Sequence, residues 1–402
     1  MRCPMTSGAA DPLRAGITGE RERTPGDGMA RRDFLKVCTL AAAAVGLPGS
    51  AAELFAEEVQ KGNKPSVIWL SFQECTGCTE TLLRTSHPAL DELILDLISL
   101  DYHEALFAAA GHQVEAARRQ AMEEHAGEYI LVTEGSIPTK DDGIYCQIAG
   151  RTALELVHEA AENAAAVVAI GSCASWGGIP SSDPNPTGAK GTPEVLTDRT
   201  VVSIPGCPPN PYNFLGTVLQ FATYGTLPEL DERGRPKWAY GRTIHDHCPR
   251  RAHFDAGRFA RAFGDEGHRS GWCLYMLGCK GPVTYANCST QHFNEVPSAW
   301  PIGNGNPCFG CTMEEVAFTV PIRDRIDVPE PVPPHAYPPI ETARGDGISP
   351  WATGAVGLAL GAAGGFAWKT ARTLDAEEAA ATGEGSPGAG PGGRPDAGRG
   401  EG

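Results

Sequence analysis

Cysteine placement constrains this chain more than any other feature of its sequence. Three short, β-branched segments are each followed at once by cysteine: Cys75 and Cys78 after the first, Cys173 after the second and Cys207 after the third. If these segments are parallel strands, their carboxyl ends meet at one edge of a sheet, where open α/β sheets build their sites. The four thiols, called here the first set, are therefore expected to converge on one metal or cluster site.

The first half of the chain alternates strand-like apolar runs with helical stretches, which is typical of an α/β domain with a parallel sheet. The candidate strands are Ser66–Phe72, Tyr129–Thr133, Ala166–Ile170 and Thr200–Ile204. The candidate helices are Thr79–Ser86, Ala105–His125, Ile144–Asn163 and Asn213–Tyr224. We place this domain at residues 64–225.

The residue types of the first set leave two kinds of site open, because four thiolates can hold either Zn²⁺ or an iron–sulfur cluster. Glycine or proline lies near each cysteine, as in Gly171-Ser172-Cys173 and Pro205-Gly206-Cys207. This suits a backbone that turns sharply beside a bulky inorganic group.

From about residue 226 to 325 the strand–helix alternation stops and seven further soft ligands follow. His245, Cys248, Cys273 and Cys279 are called the second set; Cys288, Cys308 and Cys311 are called the third set. Little regular structure is expected here, so an inorganic group is predicted to hold the segment together. Seven ligands do not divide into complete tetrahedral zinc sites, whereas four plus three fits a four-iron and a three-iron cluster. Structural zinc is the competing interpretation.

Composition excludes several classes of protein. The chain has 33 basic and 49 acidic residues, a net charge of −16, and no basic stripe with interleaved aromatics. Nucleic acid is therefore not expected as a partner. Its 41% hydrophobic residues allow a packed core, and its 13 cysteines are too sparse for a small disulfide scaffold.

The N-terminal segment predicts export. Arg31 and Arg32 precede the uncharged, alanine-rich run Val37–Ala52, a pattern typical of a twin-arginine (Tat) signal. We assign residues 1–56 to a leader and this signal; the alternative is an ordinary amphipathic helix. The Tat route carries folded, cofactor-loaded proteins, so cysteines that hold metal need not form disulfides outside.

The C-terminal segment predicts a membrane anchor. Residues 347–368 carry no charge and, as a helix of about 1.5 Å per residue, would span roughly 33 Å. Lys369 and Arg372 follow, which places the C-terminus in the cytoplasm. A proline-rich linker is expected at 326–346 and a disordered cytoplasmic tail at 369–402; the alternative for 347–368 is a soluble alanine/glycine linker.

Over residues 64–320 the chain resembles the small subunit of nickel–iron hydrogenases, and its two terminal segments resemble the membrane-bound uptake branch. The resemblance is carried, in order, by ECTGCTE at 74–80, GSCASWGG at 171–178, PGCPPNP at 205–211, HDHC at 245–248, WPI at 300–302 and PCFGC at 307–311. It implies a flavodoxin-like first domain, an irregular cluster-binding C-terminal domain and a single transmembrane helix.

The resemblance also implies three cofactors. The first set would bind a proximal [4Fe–4S] cluster, the second set a distal [4Fe–4S] cluster and the third set a medial [3Fe–4S] cluster. Pro301 would lie where a fourth ligand of the medial cluster is otherwise found. Some oxygen-tolerant relatives have two extra cysteines at the proximal cluster; the matching positions here are Gly77 and Gly178, so an ordinary four-cysteine cluster is expected.

By the same resemblance, the chain is the electron-transfer subunit of a hydrogenase and carries no catalytic residue. Electrons from H₂ oxidation would pass to a membrane acceptor, a cytochrome b or a quinone-linked carrier. The Ni–Fe centre would lie on a separate large subunit in a heterodimer. The body of the protein is expected on the periplasmic side of the cell membrane, held by its C-terminal helix.

Two alternatives belong to other classes. A quinone-reductase-type subunit related to respiratory complex I would share the α/β domain with one cluster, but that family lacks the ligand run His245–Cys311. A zinc-stabilised, exported binding protein would have the same soft ligands without redox chemistry.

Overall fold

The computed structural model describes residues 64–85, 93, 97–293 and 296–328. The predicted leader, anchor and tail, and the linker beyond residue 328, lie outside these residues. Within the described part of the chain, no helix has both the length and the apolar character needed to cross a bilayer.

A five-stranded parallel sheet forms the centre of the first segment. Its strands are β1 (Ser66–Ser71), β2 (Ser99–His103), β3 (Ile130–Glu134), β4 (Ala166–Ile170) and β5 (Val201–Ile204). They lie in the order β2-β1-β3-β4-β5, which flavodoxin-like doubly wound sheets share. The central strands β3 and β4 are buried along their whole length. The predicted α/β class with a parallel sheet is confirmed.

The edge strand β2 was not among the candidate strands. Its sequence, SLDYH, is polar and its first three residues are only partly buried. The charged residue in the middle of the strand, Asp101, has hydrogen-bond partners: its carboxylate accepts hydrogen bonds from the hydroxyls of Ser66 and Ser99. Pairing with β1 therefore outweighs the weak strand propensity of the segment.

In the described part of the chain, the helices of six or more residues beside the sheet are α1 (Gly77–Leu83), α2 (His112–Glu124), α3 (Ala153–Glu162), α4 (Gly171–Trp176) and α5 (Pro211–Tyr224). Two predicted helices were too long. Residues 105–111 are not helical, and residues 144–152 contain the hairpin Gln147–Ile148 with Arg151–Thr152. Thr152 and Glu155 form a capping box, which sets the start of α3 at Ala153. Cys146, predicted on a helix, lies before this hairpin and packs against the core.

Beyond residue 226 the described residues contain only short elements. The helices are Lys237–Tyr240, Arg251–Asp255 and Glu266–Arg269, with 3₁₀ turns at Ile244–His247, Tyr275–Leu277 and Gly281–Val283. A hydrophobic core nevertheless runs from the sheet into this segment and includes Phe214, Leu277 and Trp300. The irregular segment is thus packed against the α/β domain, with thiols along the contact.

Candidate iron–sulfur sites

The first set lies at the carboxyl edge of the sheet, as predicted. Cys75 and Cys78 follow β1, Cys173 lies in α4 directly after β4, and Cys207 follows β5. Burial raises the pKa of the Cys78 thiol, and the charges of Glu134 and of the other three thiols raise it further. The structure therefore places the other three thiols of the set close enough to Cys78 for their charges to affect its pKa.

Glycines leave room for these sulfurs. A Cβ at Gly171, whose φ is +87°, would lie 2.4 Å from Cys78 Sγ, and one at Gly178 would lie 2.7 Å from Cys173 Sγ. At Gly77 the corresponding distance to Cys75 Sγ is 3.1 Å. Real Cβ atoms essentially never come as close as the distances at Gly171 and Gly178, and the distance at Gly77 is tighter than most, so the backbone forms a cradle around the thiols that a side chain would fill. This close approach of backbone to sulfur fits a bulky inorganic group.

Glu134 is the residue of this site that the sequence analysis missed. It ends β3, is 1% exposed, and accepts hydrogen bonds from the backbone N–H groups of Cys78 (3.0 Å) and Thr79 (3.2 Å) and from Trp69 Nε1 (3.1 Å). It therefore fixes the start of α1, and with it the position of Cys78. The sequence could have indicated Glu134, because it lies at the end of a predicted strand, as the cysteines of the first set do.

The second set borders a cavity in the irregular segment. His245, Cys248, Cys273 and Cys279 all line it. The imidazole Nε2 of His245 is buried without a hydrogen-bond partner among the described residues, whereas Nε2 of His247 contacts Arg242 Nη1 at 3.0 Å. Burial raises the pKa values of Cys248 and Cys273 to about 12 each. A buried, unpartnered imidazole nitrogen on a residue that lines the same cavity as three cysteines fits a ligand set of one histidine and three cysteines.

The third set borders a larger, mostly apolar cavity of about 570 Å³. Cys288, Cys308 and Cys311 line it together with Pro301. Burial raises the pKa values of Cys288 and Cys311 to about 12 and that of Cys308 further. Cys207 of the first set also lines this cavity. With Cys207 assigned to the first set, three thiols and a proline remain, which fits a three-cysteine site. Within the described residues, no three or more His, Cys, Asp or Glu side chains are grouped as for a single metal ion.

The third set lies between the other two. Negative charge at Cys207 of the first set raises the pKa of the Cys311 thiol, and negative charge at Cys279 of the second set raises the pKa of the Cys308 thiol. The Cys308 N–H donates to Cys279 Sγ at 3.4 Å. The sites therefore follow one another in the order first, third, second.

Ser172 joins the first and third sets. Its hydroxyl donates to the carbonyl of Cys311 at 2.5 Å and accepts from the Gly206 N–H at 3.1 Å. The side chain is 1% exposed, so both partners would lose their hydrogen bonds in a buried place if the hydroxyl were removed. One hydroxyl thus connects the segments that carry Cys173, Cys207 and Cys311.

We expect Ser172→Ala to lower the stability of the protein by about 1–3 kcal/mol, because a buried N–H and a buried C=O lose their partner. For a folded domain of about 250 residues that is a fall in Tm of about 2–4 °C per kcal/mol, measurable by circular dichroism. Ser175→Ala is the matched control, since that hydroxyl donates within its own helix to Gly171 O at 2.8 Å. Equal Tm values for the two variants would contradict the linking role of Ser172.

Two family models match the chain. The model of the NADH ubiquinone oxidoreductase 20 kDa subunit matches residues 75–221, and that of the C-terminal part of the NiFe/NiFeSe hydrogenase small subunit matches residues 240–322. The first covers the α/β domain with the first set, and the second covers the second and third sets. The ligand residues between His245 and Cys311, which a complex I-type subunit lacks, thus lie in the part of the chain that a hydrogenase model matches.

Relatives match between 71% and 90% of the chain. The Hydrogenase-2 small chain of Escherichia coli is 50% identical over 362 residues, which are 90% of this chain and 97% of that protein. The quinone-reactive Ni/Fe-hydrogenase small chain of Wolinella succinogenes is 45% identical and spans 74% of this chain and 86% of its own length. Among solved structures, a reduced, active Ni-Fe-Se hydrogenase from Desulfomicrobium baculatum matches with a TM-score of 0.58 and 36% identity, over 62% of this chain and 94% of that one.

Proposed function

Because this chain belongs to the family of [NiFe] hydrogenase small subunits, we propose that its three ligand sets hold the iron–sulfur clusters through which a hydrogenase delivers electrons from H₂ to a membrane acceptor. The chain is the electron-transfer subunit of the enzyme, and the catalytic centre lies on the separate large subunit. The observation that carries the cluster proposal is that the three ligand sets follow one another through the protein in the order first, third, second.

The proposed assignment follows the ligands of each set. The first set would hold a [4Fe–4S] cluster on Cys75, Cys78, Cys173 and Cys207. The second set would hold a [4Fe–4S] cluster on His245, Cys248, Cys273 and Cys279, and the third set a [3Fe–4S] cluster on Cys288, Cys308 and Cys311. Such clusters supply one-electron carriers whose potentials depend on charge, burial and hydrogen bonds to sulfur.

The chain's own residues perform three tasks in this proposal. The thiols and His245 bind, the glycine cradle and Glu134 orient the first set, and the apolar walls of the cavities exclude water. A histidine in the second set replaces an anionic thiolate with a neutral imidazole and so makes this site less negative than a four-cysteine site. We propose that this site is the exit to the next carrier.

The first set is the part of the row that suits contact with the large subunit. The side chain of Cys75 is exposed in this chain. Ile179, whose backbone hydrogen-bonds to the Cys173 thiol, is 56% exposed. An exposed thiol and an exposed large apolar side chain at the same ligand set fit a surface that a partner protein covers.

We further propose export by the Tat route and anchoring through residues 347–368. The support is the sequence of these segments, together with relatives named as uptake and quinone-reactive hydrogenases.

Metal analysis of the anaerobically purified, full-length protein tests the cluster assignment. About eleven iron atoms per chain are expected from a 4 + 4 + 3 arrangement, with acid-labile sulfide and a brown colour. A nickel-containing large subunit should co-purify. A colourless, zinc-containing chain would contradict the proposal and favour the zinc-stabilised alternative.

A further inference from the structure

Lys280 is a fully buried lysine that neither the motifs nor the ligand sets explain. Its exposed fraction is 0%, and it directly follows Cys279 of the second set. Its Nζ donates to backbone carbonyls only: Pro321 O at 3.0 Å, Ile322 O at 3.1 Å, Asp324 O at 3.3 Å and Gly278 O at 3.4 Å. Several acceptors around one nitrogen suit an ammonium, which has three protons to donate.

This cation lacks the carboxylate that other buried cations in the described residues have. Arg118, Arg235 and Arg251 are each at most 5% exposed, and each forms an ion pair with Glu or Asp. Lys280 forms no such pair within the described part of the chain; the exposed Asp324 carboxylate acts on it only from beyond ion-pair distance. An uncompensated buried charge is costly, so an anion is expected nearby.

The surroundings of Lys280 indicate where that anion would be. Its backbone N–H donates to Cys308 O at 2.8 Å, and its side chain runs past the Cys308–Cys311 loop, with Cδ 3.5 Å from the place of a Cβ on Gly310. Burial lowers the pKa of Lys280, while negative charge at the sulfurs of Cys308 and Cys279 raises it, so the ammonium lies within electrostatic range of both sulfurs. One belongs to the second set and the other to the third.

We propose that Lys280 is a positioning residue whose buried positive charge is shared by the second and third sites and raises the reduction potentials of both clusters. This rests on the proposed function, because the anions would be thiolate-bound clusters, which gain negative charge on reduction. A fixed cation in a low-dielectric interior stabilises the reduced form of each. The first site lies at the other end of the row and is expected to be insensitive.

The test is an EPR-monitored redox titration of the purified heterodimer with Lys280→Met, Lys280→Gln and Lys280→Arg. At the potential where each wild-type cluster is half reduced, the medial and distal clusters of both neutral variants should show about a tenfold excess of the oxidised form. For a one-electron couple, tenfold corresponds to about 59 mV towards more negative potential. The proximal cluster should be unshifted, and the arginine variant should stay within about threefold of wild type.

Lys280→Gln separates charge from mechanical attachment, because its amide still donates to the carbonyls of 321–324. If methionine shifts the potentials and glutamine does not, Lys280 is only a clamp and the proposal is wrong. If the methionine variant fails to load iron, the glutamine variant carries the same expectation. Lys237→Met is the matched control, since that lysine is exposed and paired with Glu229; an equal shift there would overturn the proposal.

Iron-loaded neutral variants with wild-type potentials overturn the role of Lys280 and leave the proposed function standing. Absence of iron from the wild-type protein overturns both.

Discussion

Gly171→Ala is expected to abolish the first site as an iron site while the rest of the protein still folds. The added Cβ would lie 2.4 Å from Cys78 Sγ, so the thiol cannot keep its position. Alanine at φ +87° also strains the backbone, by about 1 kcal/mol or more. The purified variant should lose about four of its expected eleven iron atoms and the EPR signal of the proximal cluster.

Gly225→Ala is the matched control for this variant. Gly225 directly follows α5 at φ +65°, and, its chain neighbours aside, no atom lies within 4 Å of the place its Cβ would take. It therefore carries the backbone strain without the overlap, and full iron content is expected. A Gly171→Ala protein with all its iron would show that the cradle does not determine where the Cys78 thiol lies.

Arg118→Met is expected to lower the free energy of unfolding by about 3–5 kcal/mol, because it leaves buried carboxylate charge without its partner. The Arg118 side chain is 0% exposed and lies between two carboxylates, Glu115 at 3.2 Å and Glu159 at 2.8 Å. It connects α2 to α3 on one face of the sheet. Thermal unfolding followed by circular dichroism measures the effect, as a fall in Tm of about 2–4 °C per kcal/mol.

An exposed pair and a double variant complete this experiment. Arg84→Met removes the exposed pair with Glu80 and should change stability by less than about 1 kcal/mol. Adding Glu115→Gln to Arg118→Met removes one orphaned charge and should recover part of the loss. If Arg118→Met changed Tm no more than Arg84→Met does, the pair would contribute nothing to stability.

The sequence predicted the parts of the fold that local patterns encode. Strands β1, β3, β4 and β5 are apolar runs with turn residues behind them, so their positions were predicted to within a residue. The polar strand β2 was missed because its stability depends on pairing with β1 rather than on its own side chains. The helix predicted at 144–163 was wrong at its start, where the hairpin and the capping box at Thr152 override helical periodicity.

In the sites, too, the residues with a local sequence pattern were predicted and those that depend on distant contacts were missed. Cysteine carries its chemistry in its identity, so the ligand sets could be proposed from spacing alone, and the structure brings members of each set to one place. Glu134 and Lys280 were missed because a single Glu or Lys in a sequence is most often solvated. Their significance depends on burial and on partners from distant parts of the chain, which no local pattern records.

The way strands supply the first set has a consequence for biosynthesis. Its earliest and last ligands, Cys75 and Cys207, are roughly 130 residues apart, and they come together only when β5 has joined β4 beside β3 and β1. A nascent chain that ends before residue 207 offers an iron donor an incomplete pocket, and contacts this distant in sequence form slowly. If the first set holds the proposed cluster, metal delivery would therefore follow synthesis and closure of the sheet, and the topology would disfavour premature loading of a half-made chain.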